Sequence, residues 1–547
     1  MMFPLLTRLL LSQSPEPNTP DFLYFILVDR FDNGSIQNDW FVDTTDPQGF
    51  HGGDLQGITK HLDHIELLGA DSIWLSPIFE MRTEPFHGHG AFHGYWTDDL
   101  AQIEESMGGE TALWTLATEL NDRDISLILD MVYNHTSFDA EMVSTHPDWF
   151  HPAKPIVNWD DPIELSTHQV HGLPDLNQAN PEVYEYLLNS SLQWLELPSI
   201  IGFRIDAIRH LDNDFLRRIN NDIPNAWLLG EDFQGNPIAN IDRIEQTGLD
   251  ALFDFPFYYA LTNSLCDEQS LEEIASILSL DRHYPNKSTR VRFLDNHDVP
   301  RILSRCGEDR HKVLTAELIL FAVQGTPMIT YGTETWSTGT TEPDNRMDMN
   351  WAEVDPLHTQ HLATLAAFRK KHRVLKEGTS QILHANNDQL IIEQQLGRQR
   401  SMLAINRSNT PLHLPQRCTH SVEGFVFTDT IQTIQHLPTT LPPKNSALVV
   451  CNKRSSSAST VTVEILLEGT VDQVPILVGS LPALGGWNPN KGLYSTWNGK
   501  QWNATIHLPH NTVSAFKVVY EIDNDFHWED GGNRFLHSNT DKTFWIR

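Results

Sequence analysis

IIGFRID (residues 200–206) runs directly into AIRH (207–210), so a short apolar run ends on Arg204, Asp206, Arg209 and His210. A run of this kind, without strict alternation, predicts a strand covered on both faces. Seven other stretches repeat the pattern: FLYFILVD (22–29), SIWLSP (72–77), ISLILDMVY (125–133), AWLLGE (226–231), ALFDF (251–255), VRFLD (291–295) and MITYG (328–332). Amphipathic segments such as GITKHLDHIELLG (57–69) and PEVYEYLLNSSLQWLEL (181–197) lie between them. Strands alternating with helices predict parallel βαβ units, and eight of them predict an α/β fold, a closed (β/α)8 TIM barrel. A doubly wound sheet would carry a Gly-rich phosphate loop after an early strand, and the sequence has none. In a barrel, the polar residues ending these runs are the ones that line the active site.

Residues 134–180 form a long excursion after the third run, rich in His, Pro, Trp and Asp. A loop of that length is functional or a small subdomain. After LAAFRKKHRVLKEG (365–378) the pattern changes to short alternating strands as far as residue 452, KRSSSAS (453–459) reads as a flexible linker, and another all-β pattern starts at Thr460. The expected organisation is a barrel over 20–375 with 134–180 inserted, a β-sandwich domain over 376–452, the linker, and a module over 460–547.

The formal charge of −34 is unevenly spread. Residues 1–350 hold 56 acidic and 20 basic side chains, against 16 and 18 in the remainder. Acidity on this scale excludes a nucleic-acid partner, which needs basic surface. A content of 40% hydrophobic and 10% aromatic residues excludes disorder. Cys266, Cys306, Cys418 and Cys451 are too few for a disulfide scaffold and lack metal-site spacing, although Cys418 and Cys451 could be bridged. MMFPLLTRLLLSQS (1–14) is apolar but interrupted by Arg8, with no basic segment before it, and is a poor match to a signal peptide. No stretch approaches the roughly 20 apolar residues of a membrane span, so a soluble mature protein with no membrane partner is expected.

Four segments place ionisable groups at strand ends: LDMVYNH (129–135), GFRIDAIRH (202–210), LLGEDF (228–233) and FLDNHD (293–298). Any one alone would be read as capping or salt bridging; four in barrel order point to catalysis. Together with GADSIWLSP (69–77), HGYW (93–96), LPDLN (173–177) and GTTEPDNR (339–346), they resemble the conserved regions of the α-amylase family, glycoside hydrolase family 13. The resemblance spans roughly residues 20–375. It implies Asp206 as nucleophile, Glu231 as general acid/base and Asp298 as the third carboxylate, bonding to sugar hydroxyls. Arg204 would hold the nucleophile ionised, and negative neighbours would raise the Glu231 pKa. His93, Tyr95, Asp130, His135 and His297 would line the same sugar pocket, with Tyr95 stacking beneath the ring. Arg346 would grip the donor side, Arg209 would stand on the acceptor side, and His210 would also bind substrate. The His-rich HGHGAFHG (87–94) is read as cleft lining rather than a zinc site.

The resemblance also implies Ca2+ as cofactor. Asn134, Asp175 and the His210 carbonyl match a structural calcium site between barrel and excursion, where hard oxygen ligands suit the ion. FDNGSIQND (31–39) with HGGD (51–54) resembles a second calcium loop, with Asn33, Asn38, Asp39 and Asp54 as candidates; the plainer reading is a turn-rich loop capped by its own side chains. LGGWNP (484–489), FKVVY (516–520) and FHWEDGGNR (526–534) resemble a starch-binding domain, carbohydrate-binding module family 20. It implies a glucose-stacking platform of Trp487 and Trp528, with Lys517 and Asn533 bonding to hydroxyls. VDQV (471–474) lacks the tyrosine that such modules carry at their second site.

TETWSTGTTEPDNR (333–346) is most similar to the cyclodextrin glucanotransferase branch. Two features depart from it. His171 stands where that branch has a central aromatic, and only the linker lies where it has an extra immunoglobulin-like domain. Arg209 and Asp232 also differ from its acceptor-side pattern. The expectation is a secreted, extracellular, monomeric endo-α-amylase releasing maltooligosaccharides from starch, with a cyclodextrin-forming or cyclodextrin-degrading relative as the alternative. A non-catalytic starch-binding protein would have lost one of the three carboxylates, and all three are present.

Overall fold

The computed structural model describes residues 18–546 except 87, 286–288, 419, 428–430, 453–459, 468–472, 523–524 and 541–542. The N-terminal apolar segment and the linker lie outside the described residues, as does part of VDQV.

All eight apolar runs become barrel strands: β1 (Leu23–Ile26), β2 (Ser72–Leu75), β3 (Ser126–Met131), β4 (Ile200–Ile205), β5 (Trp227–Gly230), β6 (Ala251–Phe253), β7 (Arg290–Phe293) and β8 (Thr326–Thr330). Each pairs in parallel with its sequence neighbours, and β1 closes on β8 through Leu23 opposite Met328. The strands are buried almost throughout, because side chains inside the barrel and helices outside cover both faces. Helix starts follow local chemistry. The helix Pro181–Trp194 has Asn180 accepting from the Glu182 N–H, with proline in its first turn.

The excursion carries two short α-helices, Glu141–Thr145 and Pro162–Thr167, and a 3-10 turn at Pro147–Trp149. Its two ends are joined by an isolated bridge between His135 and Asp175.

Beyond the helix Arg373–Glu377, six antiparallel strands between Thr379 and Asn452 form one sheet. The two-strand ladder Leu412–His413 with Thr440–Leu441 covers it, sharing an apolar core with Ile391, Met402 and Val449. The second layer of this sandwich is therefore small. The C-terminal module is two facing sheets. Its strand Trp502–Pro509 alternates buried and exposed residues, as a strand with one face on a core must.

Both cysteine pairs are bonded, Cys418 to Cys451 and Cys266 to Cys306. No helix among the described residues is long and apolar enough to cross a membrane.

Candidate active site

The charged ends of β3, β4 and β5 meet at the carboxyl end of the barrel. Register places Asp130 of β3 opposite Arg204 of β4. The buried Arg204 guanidinium is the hub. Its Nη1 donates to Asp206 at 2.7 Å and to Asp130 at 2.9 Å, and its Nη2 lies 2.8 Å from Glu231. Ala207, in the left-handed region at φ 48°, turns the chain so that its N–H donates to Glu231 at 3.1 Å.

Burial comes first among the causes that raise the Glu231 carboxyl to about 8; Arg204 opposes the rise, and Asp206 and Asp298 add to it. Negative neighbours thus contribute, as the sequence reading expected, but desolvation leads. Burial likewise raises Asp130 to about 7 despite Arg204. Asp298 moves the other way. Burial would raise it, but the Arg346 and Arg204 guanidiniums hold it below the usual carboxylate range, with His297 Nε2 3.2 Å away as a neutral neighbour. The pocket therefore holds one carboxyl kept protonated and one kept ionised at neutral pH, the division of labour that acid and electrostatic roles require.

Around these carboxyls stand the predicted sugar-pocket residues. Tyr95 donates its hydroxyl to Asp130 at 2.9 Å, and its ring is parallel to that of His297, with centroids 5.1 Å apart. His93 Nδ1 receives the Tyr95 N–H at 3.0 Å, and His135 Nε2 lies 3.2 Å from the Tyr95 carbonyl. Burial lowers the pKa of all three histidines, His297 to about 3, so they face a neutral sugar as neutral donors and acceptors. Arg346 donates to Asp298 at 3.1 Å and to the His297 carbonyl at 2.8 Å, so it braces the third carboxylate.

Other predicted residues are placed elsewhere. Arg209 donates to the Trp159 carbonyl at 3.2 Å, and His210 Nδ1 lies 3.0 Å from the Leu165 carbonyl, so both pin the excursion to the barrel. Asp232 is buried against Arg243 at 3.2 Å, so its side chain is engaged beneath the rim rather than free for an acceptor sugar. Trp74, within GADSIWLSP on β2, joins the Arg204 cluster. Its indole N–H donates to Asp130 at 3.2 Å, and the Arg204 guanidinium lies 5.1 Å over its ring. A tryptophan inside an apolar strand has an N–H that needs a partner, and that was the available signal.

The oxygen groups assigned to calcium fit unequally. Asn134 Oδ1 and Asp175 Oδ1 are both buried without a hydrogen-bond partner. Burial raises Asp175 to about 6, with His151 as its nearest relief. Two unpartnered buried oxygens, one on an anion, are what a hard cation would satisfy. In the second cluster Asn33 Oδ1 and Asn38 Oδ1 are also unpartnered, while Asp39 accepts from Asn33 at 2.8 Å. Asp54 is different. Its oxygens accept from the N–H groups of Gly34, Ser35 and Gly57 and from Asn38, and it caps the helix Leu55–Lys60. Four donors fill a carboxylate, so Asp54 has the Asx-capping role and not a free ligand position.

At the module, Trp487 and Trp528 pair at 6.4 Å with their rings tilted 33°. Lys517 donates to the Gly531 carbonyl at 2.7 Å, which braces the loop bearing the exposed Asn533.

Comparison with known proteins agrees with this geometry. A family profile described as "Alpha amylase, catalytic domain" matches residues 25–362, and one described as "Starch binding domain" matches residues 458–545. A cyclomaltodextrin glucanotransferase of Klebsiella oxytoca is 26% identical, the match covering 97% of this chain and 95% of that one. A cyclomaltodextrinase of Geobacillus thermopakistaniensis is 31% identical over 76% of this chain and 73% of its own. The crystal structure of an Anoxybacillus α-amylase superposes with a TM-score of 0.73 at 30% identity, covering 80% of this chain and 99% of that one. The chain belongs to the α-amylase family of glycoside hydrolases, with a C-terminal starch-binding domain.

Proposed function

We propose that this hydrolase cleaves internal α-1,4 bonds of starch to maltooligosaccharides through a covalent glycosyl-enzyme intermediate. One observation carries the reading: Arg204 holds Asp206 and Glu231 on its two terminal nitrogens, while Glu231 stays protonated to about 8. Retaining enzymes need a nucleophile and an acid close together, about 5–5.5 Å apart. In that scheme an Asp206 oxygen attacks the anomeric carbon, and Glu231 gives its proton to the departing glycosidic oxygen. Glu231, now ionised, takes a proton from water, which attacks the anomeric carbon and releases Asp206. Asp298, braced by Arg346, would accept hydrogen bonds from sugar hydroxyls.

The choice of acceptor separates hydrolysis from transfer. His171, exposed at φ 52°, stands where the glucanotransferase branch has an aromatic, and a polar residue there favours water. A second reading, opening or forming cyclodextrins with the same carboxyls, is favoured by relatives named cyclomaltodextrinase and cyclomaltodextrin glucanotransferase. Chromatography of products from soluble starch, with and without added cyclodextrin, distinguishes them. Linear maltooligosaccharides should dominate; predominantly cyclic products would overturn the hydrolase reading.

We further infer that Ca2+ binds Asn134, Asp175 and the His210 carbonyl and holds the excursion to the barrel, and that the unpartnered oxygens of Asn33 and Asn38, beside Asp39, form a second position for the ion. A ligand bound to the native state at about 100 times its Kd adds about 2.7 kcal/mol of stability. Chelator should therefore lower the Tm reversibly by a few degrees, and Asp175→Asn should remove most of the calcium response. An identical Tm with chelator and with millimolar calcium would refute the site. A secreted enzyme fits the two disulfides, which persist in oxidising compartments.

A further inference from the structure

The starch-binding module is docked on the barrel. Leu280 and Ile238, from the barrel, enter the module's own apolar cluster beside Leu484 and Phe516. At Gly486, with φ 57°, an added Cβ would come within 2.5 Å of Ile238. Polar contacts complete the seam. The N–H groups of Val513 and Ala515 donate to Ser279 at 3.1 Å and Ser276 at 3.3 Å, and the Arg282 guanidinium donates to Thr512 at 3.1 Å.

Between the two bodies lies a cavity of about 520 Å3. Its module wall contains Trp487, Lys517, Trp528 and Asn533, the four residues expected to hold glucan. Its opposite wall belongs to the barrel and includes Asn236, Tyr259 and Asn263. Trp487 sits at φ 65°, an uncommon conformation for a bulky side chain, and its N–H donates to Gly479 at 2.9 Å. The volume falls among small-ligand pockets of about 300–1,000 Å3. Three aromatic rings line the space for the apolar side of pyranose rings, and the amides of Asn263 and Asn533 can both donate to and accept from hydroxyls, whereas the Asn236 amide already accepts the Ile238 N–H as a helix cap.

We propose that starch binds between the domains, with Tyr259 and Asn263 of the barrel forming the second wall of the module's glucan site. The proposal rests on the starch-binding reading of the module and adds the barrel half. Asn236 follows Glu231 by five residues, on the segment leaving β5, so a chain held here is gripped by the loop that leaves the acid/base.

The test measures adsorption of the full chain to granular starch, in a Glu231→Gln background that prevents turnover. Tyr259→Ala and Asn263→Ala should each weaken adsorption about five- to tenfold, the scale of one lost ring or amide contact; both are assayed well below their Tm, because Tyr259 also packs on Phe255 and Tyr258 and Asn263 also bonds to Glu273. Trp487→Ala with Trp528→Ala should reduce adsorption to the level of the catalytic cleft alone. Unaltered adsorption in both barrel variants, with loss in the tryptophan pair, would overturn the shared site and leave a self-sufficient module. Full adsorption in the tryptophan pair would instead overturn the starch-binding reading of these rings, and the shared site with it.

Discussion

Replacing Glu231 with glutamine lowers kcat on soluble starch by roughly 10²–10⁴-fold, the contribution of a positioned general acid, while granule adsorption is retained. Glutamine keeps the volume and can still accept the Ala207 N–H that reaches Glu231 at 3.1 Å. It cannot give a proton to the leaving oxygen. The wild-type pH profile carries the matching signature. Burial raises the Glu231 carboxyl to about 8, so the acid form persists below that pH and is lost as pH rises through it. The basic limb of kcat/KM, which reports the free enzyme, should therefore fall near 8 and be absent from the residual activity of the variant. Wild-type turnover in Glu231→Gln would remove the assignment. A basic limb surviving unchanged in the variant would give the limb to another group.

What the sequence made legible was local. Each strand end carries its ionisable groups within a few residues of an apolar run, so Arg204, Asp206 and Glu231 could be found from motifs and the fold from eight repeats. Chain-distant pairings were not legible. Nothing within GADSIWLSP says that Trp74 donates to Asp130, because that contact exists only once β2 and β3 lie side by side. Asp54 was ambiguous for a physical reason: an aspartate that can ligate a cation is equally suited to cap a helix, and four neighbouring donors take its oxygens. The docked module is the largest surprise. KRSSSAS reads as a tether, whereas the seam is built from Ile238, Ser276 and Leu280, roughly 200 residues away in sequence from the module residues they meet. Interfaces between domains leave no periodicity in either segment.

Arg292→Met should cost about 3–5 kcal/mol of stability, the usual penalty for removing one partner from a buried ionic group. Arg292 stands on β7, fully buried, outside the sugar pocket. Its Nε donates to Asp254 at 2.9 Å, its Nη2 to Asp281 at 2.6 Å and its Nη1 to the Gln324 carbonyl at 2.8 Å, with the guanidinium 4.6 Å over the Phe257 ring. Burial alone would lower its pKa, but the two carboxylates outweigh it and keep the group charged. Methionine preserves much of the packing and leaves Asp254 without its cation, while Asp281 retains Arg290, whose Nε lies 3.6 Å away. Lysine should recover part of the loss, since one ammonium cannot reach both carboxylates as the planar fork does. Adding Asp254→Asn to Arg292→Met should recover stability relative to Arg292→Met alone, because it discharges the anion left behind. Denaturant or thermal unfolding, followed by the signal of the barrel, measures all three variants. If Arg292→Met were as stable as wild type, the buried cluster would be filler rather than a mutually dependent set of charges. If the added Asp254→Asn destabilised further, the penalty would lie in lost packing and not in a stranded charge.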